Sequence, residues 1–356
     1  MRIGVPKEIK PLEGRVALTP EAAGELTRAG HEVALQAGAG EQSGYPDSAY
    51  RAHGVAILPD AAALYRRAQL VVKVKEPITP EYELLRSDHI LFSYLHLAAA
   101  PELARVLKEK KLTAIAFETV EVAGRLPLLA PMSEIAGRLA VQVGAHLLHA
   151  PQGGRGLMLG GLPGTERGRV LVLGAGEAGG AAVAAAAALG AEVTVFARSR
   201  DSLARMRALG ANVTALYSSY GALREAVEAA DLLIGAVLIP GARAPQLVSR
   251  DMVRSMRPGT VIVDISVDQG GCIETTRATD YRAPTYLEEG VIHFAVTNMP
   301  GAVPRTSSQA LSGAIAPFVR RLAEPDWEED AALRAGVNLR GGRIVHPAVA
   351  ATLAGG

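Results

Sequence analysis

The sequence predicts an α/β protein made of two doubly wound, Rossmann-like parallel sheets, with the first domain discontinuous along the chain. Three observations predict it. Short apolar runs alternate with helical patterns along most of the 356 residues. One run, 169–173, leads directly into Gly174-Ala175-Gly176-Glu177-Ala178-Gly179 and then an alanine tract. A strand, a G-x-G-x-x-G turn and a helix in that order form a dinucleotide-binding fingerprint. The length also exceeds what one ordinary core organises, so two domains are expected.

The elements follow in order. Residues 1–5 read as a strand. Thr19 is placed to cap a helix, with Pro20 at its first position and Glu21 in its first turn. That helix runs to Gly30, and 31–36 is the next strand. Strands are expected at 70–75, 89–96 and 113–118, with helices opening at Thr79-Pro80 and at Pro101. A long helix from Met132 to about Ala150, with Ser133 as its candidate cap, bridges into the second domain. A glycine-rich loop covers 151–168. Further strands are expected at 169–173, 192–196, 212–216, 232–237, 260–265 and 292–296. Pro300-Gly301-Ala302-Val303-Pro304 breaks the pattern, and a helix over 307–322 returns the chain to the first domain. The expected domains are therefore 1–130 with 305–356, and 131–304, the latter binding the dinucleotide.

Composition excludes several classes. The formal net charge is +1 with acids and bases intermixed, so no nucleic-acid-binding face is expected. Cys272 is the single cysteine, which excludes an intrachain disulfide and fits a reducing compartment. The start, MRIGVPKEIK, has no apolar signal core, and the alanine tract is short and follows a glycine turn. A cytoplasmic protein without a membrane partner is expected, and no metal-ligand spacing stands out.

In open α/β sheets, ligands sit outside the carboxyl ends of the strands. Charged residues at apolar strand ends are therefore candidate site residues. In the turn, Gly174 permits the tight bend, Gly176 lets backbone approach a pyrophosphate, and Gly179 lets helix and strand pack closely. Arg15 stands beside a glycine turn, and arginine forks suit carboxylates. Lys73 and Lys75 follow an apolar run; a period of two puts both on one face, with Lys75, next to the turn, the better ligand contact. His96 closes Tyr94-Leu95-His96, where an imidazole can serve as acid or base. Asp268 follows the strand at 260–265 and precedes Gly270-Gly271, a pattern equally suited to a turn or cap. Together these supply Arg and Lys for a small carboxylate, and His and Asp for proton transfer, beside a nicotinamide. The set suits oxidation of a carbon bearing an amine or hydroxyl next to a carboxylate.

Beyond single residues, whole segments resemble the alanine dehydrogenase and transhydrogenase superfamily, and alanine dehydrogenase in particular. The segments are residues 2–8 and 15–20, Lys73-Val74-Lys75-Glu76-Pro77, Tyr94-Leu95-His96, residues 130–137, Asp268-Gln269-Gly270-Gly271-Cys272, and residues 298–304. The resemblance implies that Arg15 and Lys75 hold the substrate carboxylate and carbonyl, and that His96 and Asp268 are the acid/base pair. It implies cofactor contacts at Ser133, Gly174, Gly176, Ala178 and Gly179, then at Arg198, Ser219, Val237 and Leu238. It extends them to Ile265, Val267, Asp268, Arg277, Val296, Asn298 and Met299. The implied reaction converts L-alanine, NAD and water into pyruvate, ammonia and NADH, in a cytoplasmic homohexamer.

One position departs from the dinucleotide pattern. An acid normally ends the second strand, about twenty residues past the glycines, to hold the ribose 2′-OH. Here Phe196 is followed by Ala197, Arg198, Ser199 and Arg200. An arginine and a serine stand where a 2′-phosphate could be held, so NADP(H) is expected to be accepted alongside or in place of NAD. Two other functions use the same fold: the soluble nucleotide-binding component of a transhydrogenase, and a non-catalytic dinucleotide-binding protein. Lys75 and His96 favour the dehydrogenase, because hydride exchange between two nicotinamides needs neither.

Overall fold

The computed structural model describes residues 1–238 and 244–354, and the chain divides into two units. One comprises Met1–Met132 with Gly301–Gly356, the other Ser133–Pro300. The helix Ala130–Leu147 carries the chain from the first into the second.

The first unit holds strands β1 (Arg2–Val5), β2 (Glu32–Gln36), β3 (Ala56–Leu58), β4 (Leu70–Val72), β5 (Ile90–Ser93) and β6 (Thr113–Ala116). Its order, read from one edge, is β3-β2-β1-β4-β5-β6, all parallel. The order reverses between β1 and β4, which makes the carboxyl ends of those strands a switch point. Both faces of a parallel sheet are covered, so its strands read as continuous apolar runs. Leu70, Val71 and Val72 are all fully buried. Thr19 does cap its helix, Pro20–Arg28, accepting from the Ala22 N–H.

The second unit holds β7 (Arg169–Leu173), β8 (Glu192–Ala197), β9 (Val213–Tyr217), β10 (Leu232–Gly235), β11 (Val261–Asp264), β12 (Thr285–Glu288) and β13 (Val291–Phe294). They are ordered β9-β8-β7-β10-β11-β13-β12, and only β12 runs antiparallel. The switch point lies between β7 and β10. The chain then returns to the first unit, where β14 (Val337–Arg340) joins β6 antiparallel and β15 (Arg343–Ile344) closes the edge.

Several elements differ from expectation. β3, β12 and β15 are edge strands and β14 lies one strand in; all four are too short or too exposed to show a period. The strands expected at 70–75 and 89–96 stop at Val72 and Ser93, so Lys73, Lys75 and His96 all lie beyond the sheet. Ser133 is not a cap: the helix already begins at Ala130, with Pro131 in its first turn. The last long helix starts at Pro304, whose fixed φ suits a first helical position.

Candidate active site

In the first unit, four strand ends bring polar groups to the switch point. β1 leads to Glu8, β4 to Lys73 and Lys75, β5 to His96, and β6 to Glu118. The two lysines divide there. Lys73 is 1% exposed, with its Nζ 2.8 and 2.9 Å from the Glu81 carboxylate and 3.3 Å from Glu8. Tyr65 donates to Glu81 as well, at 2.8 Å. Burial opposes the Lys73 charge, but the two acids outweigh it and keep the ammonium charged. Lys73 is thus a buried structural cation.

Lys75 is half-buried and forms no ion pair among the described residues. The adjacent Glu76 is engaged by Lys10. Burial, and then the positive charge of Arg15, pull the Lys75 ammonium below its ordinary pKa. A partly desolvated cation beside another cation suits an anionic ligand. Its backbone is fixed by Glu8, whose Oε1 accepts from the Val74 N–H at 2.6 Å and the Lys75 N–H at 3.4 Å.

Arg15 is 2% exposed. Glu13 takes one edge of its guanidinium, with Nε to Oε1 at 2.7 Å and Nη2 to Oε2 at 2.5 Å. Nη1 faces the Met132 sulfur at 3.2 Å. The fork expected for a ligand is therefore occupied on its Nε side by a protein carboxylate, and the Nη1 side is the one turned elsewhere.

His96 occupies a left-handed turn with φ of +47°. That conformation costs a non-glycine residue roughly 1 kcal/mol or more. Glu118 holds the turn, accepting from the His96 N–H at 2.6 Å and from the Leu95 N–H at 3.3 Å. Its Oε1 lies 3.9 Å from His96 Nδ1. The imidazole stacks on Tyr94 with an interplanar angle of 3°, and Tyr94 packs edge-on against Phe117, centroids 5.0 Å apart. Tyr94 donates to the Leu128 carbonyl at 2.6 Å. The ring is thereby oriented while its side chain stays 47% exposed.

The second unit carries the glycine turn. Gly174 has φ of +103°, open to glycine and costly to other residues. A Cβ on Gly179 would sit 2.0 Å from the Gly174 carbonyl oxygen, so the helix Glu177–Ala188 approaches β7 as only glycine allows. A Cβ on Gly176 would meet open space, and no side chain caps the helix that starts there. Its first N–H groups, near Ala178, are left for an anion. This cradle fits a dinucleotide pyrophosphate.

Around it, Ser219 caps the helix Tyr220–Ala229, and the Val237 N–H donates to Ser266 Oγ at 2.9 Å. Leu238 is 49% exposed. Ile265, Val267 and Asp268 lie on one turn of 3₁₀ helix after β11. Asp268 is exposed; the residue that caps this turn is Asp264. Its buried carboxylate accepts from the Ser266 N–H at 2.9 Å, the Cys272 N–H at 3.0 Å and Thr276 Oγ1 at 2.8 Å. Burial raises its pKa against those bonds. The loop that presents Asp268 is built by Asp264. Arg277 is exposed and lies 3.9 Å from the Tyr286 ring centroid. Val296 and Met299 are buried, and Asn298 takes φ of +62°. Ser133 is half-buried in the first turn of its helix.

Glu8, Glu13, Glu118 and Asp264 were not among the expected site residues. Glu118 follows an apolar strand and Asp264 is the last residue of one, and the criterion that picked out His96 and Asp268 applies equally to them.

The strand order and the glycine cradle define a dinucleotide-binding α/β protein. The first domain of the alanine dehydrogenase/PNT model (N-terminal) matches residues 4–136, and the second (C-terminal) matches 140–347. The chain is 48% identical to the alanine dehydrogenase of Mycolicibacterium smegmatis, covering 99% of this chain and 97% of that one. It is 48% identical to that of Bacillus subtilis, covering 99% and 95%. A solved L-alanine dehydrogenase superposes with a TM-score of 0.96 at 48% identity, covering 100% of this chain and 99% of that one. A transhydrogenase from Sinorhizobium meliloti gives 0.84 at 28% identity, covering 98% and 100%. The chain belongs to the alanine dehydrogenase/PNT family, which implies a nicotinamide cofactor. Among the described residues no helix is long and apolar enough to cross a membrane.

Proposed function

We infer that the protein catalyses the reversible oxidative deamination of L-alanine to pyruvate and ammonia. The observation that carries this reading is Lys75: a partly desolvated lysine without an ion pair among the described residues, at a switch point, beside Arg15. The likeness to alanine dehydrogenases at 48% identity, against 28% for a transhydrogenase, supports the same choice.

In this reading the Gly174–Gly179 turn and the residues around it hold the cofactor, with Arg198, Ser219, Val237, Leu238, Ile265, Val267, Arg277 and Asn298 among them. When bound, the nicotinamide supplies a hydride acceptor for the alanine Cα. Arg15 and Lys75 orient the substrate carboxylate and carbonyl, and fixing so small a substrate is itself a large part of the rate. His96 takes a proton from the substrate ammonium and releases it to solvent, takes a second from the water that attacks the iminium carbon, and returns that one to the departing ammonia. Asp268 shares that proton traffic. A positioned acid/base contributes roughly two to four powers of ten. Glu118 and Glu8 act as positioning residues for His96 and Lys75.

A homo-oligomer, hexameric by the family resemblance, in the cytoplasm completes the reading. The reaction is tested by oxidation of NADH or NADPH with pyruvate. Dependence on ammonium is the expected result; no turnover with any small 2-oxo acid and ammonium would overturn it.

A further inference from the structure

The end of β8 carries an arrangement that the dehydrogenase reading does not use. β7 and β8 are neighbours with Leu173 opposite Phe196, and the Gly174 N–H donates to the Phe196 carbonyl at 3.0 Å. The residues after Phe196 therefore stand beside the glycine turn, at the place where an adenosine ribose is bound in this fold. An acid at this place accepts from the ribose hydroxyls and repels a 2′-phosphate. Here the place is held by Ala197, a buried methyl that can do neither.

Two cations follow. Arg198 and Arg200 are both exposed, and neither forms an ion pair among the described residues. Asp201 follows Arg200 directly, and adjacent positions on a helix do not face each other. Between the arginines, Ser199 Oγ accepts from the Ser202 N–H at 3.2 Å and lies 2.8 Å from Ser202 Oγ. Ser199 is thus committed to capping its helix, Arg200–Arg207, and the phosphate-binding role falls to the arginine side chains.

We propose that Arg198 and Arg200 form a 2′-phosphate site at the end of β8, so that this chain takes NADPH in preference to NADH. The inference rests on reading the Gly174 turn as a dinucleotide site, and the test separates the two. A phosphate monoester carries up to two negative charges and three acceptor oxygens, which guanidinium groups meet bidentately. The alanine removes the competing acid, and the arginines supply the attraction.

The experiment titrates the full-length protein with NADPH and with NADH, following nicotinamide fluorescence at equilibrium, and repeats it with 2′,5′-ADP and 5′-AMP as competitors. NADPH is expected to bind more tightly than NADH, and 2′,5′-ADP more tightly than 5′-AMP. The double variant Arg198→Ala/Arg200→Ala should lower the NADPH-to-NADH affinity ratio roughly tenfold to hundredfold, the range for losing bonds to a charged group. Ala197→Asp should reverse the preference. Raising the salt concentration should shrink the wild-type ratio, because the charges are exposed. Tighter binding of NADH by the wild-type protein, or an unchanged ratio in the double variant, overturns the proposal and leaves the dinucleotide reading intact. Binding of neither nucleotide overturns both.

Discussion

Lys73→Met tests the division of labour between the two lysines. The substitution removes a cation held by Glu81 at 2.8 and 2.9 Å and by Glu8 at 3.3 Å, in a site where the lysine is 1% exposed. Methionine fills a similar volume, so little of the cost comes from a cavity. Two buried carboxylates lose their counter-charge, and breaking a buried pair from one side costs about 3–5 kcal/mol. Tyr65 still donates to Glu81, which places the expectation toward the lower end. The sign with pH follows from Glu8. Burial already raises its pKa, and loss of Lys73 raises it further. A carboxyl raised in the folded state takes up its proton there first, so the penalty is full above the folded pKa and relieved as pH falls through it. Denaturant unfolding should therefore show a deficit of about 3 kcal/mol near neutral pH that shrinks toward acid pH. Because Glu8 also holds the Lys75 N–H, KM for the 2-oxo acid should rise in the folded variant. A Lys73→Met protein within about 1 kcal/mol of wild type at neutral pH would refute the reasoning, since buried pairs broken from one side cost several times that.

The other predictions concern the candidate site itself. Affinity for a 2-oxo acid should be full where Lys75 is protonated and should fall as pH rises through its lowered pKa, earlier than an ordinary lysine would allow; Lys75→Met should weaken binding and flatten this dependence, as measured by pyruvate competition across pH. His96→Ala should abolish turnover while leaving cofactor binding, and Glu118→Ala should lower kcat about tenfold or more by releasing the left-handed turn; unchanged turnover in His96→Ala would remove that histidine from the mechanism. Asp264→Ala leaves two backbone N–H groups and a threonine hydroxyl without their acceptor, at about 1–3 kcal/mol each, and should lower thermal stability and cofactor affinity together.

The parts of the molecule legible in the sequence are those whose cause is local. The cap at Thr19 needs only the next few residues, and the turn at 174–179 needs only its glycines and the helix beside it. The doubly wound sheets followed from alternation of strand and helix. The short strands β3, β12, β14 and β15 were not legible, because runs of two to four residues show no period. Lys73 and Lys75 share a face by their spacing, and only the nearby turn favoured Lys75; Glu8, which bonds near both, lies 66 residues from the backbone N–H it accepts. Arg15 looked like an open fork because Glu13, two residues away, carries no signal that it folds back. Asp268 and Asp264 both end the same apolar run, and only burial distinguishes the loop-building acid from the exposed one.

The most direct test of the account follows the hydrogen on the alanine Cα. L-Alanine deuterated at that carbon is turned over with oxidised cofactor, and the reduced cofactor and the pyruvate are weighed by mass spectrometry. The account predicts one deuterium in the reduced nicotinamide, none in the solvent, and ammonia released in equal amount. Deuterium appearing in water, or reduced cofactor formed without it, would contradict hydride transfer from Cα and with it the roles given to Lys75 and His96.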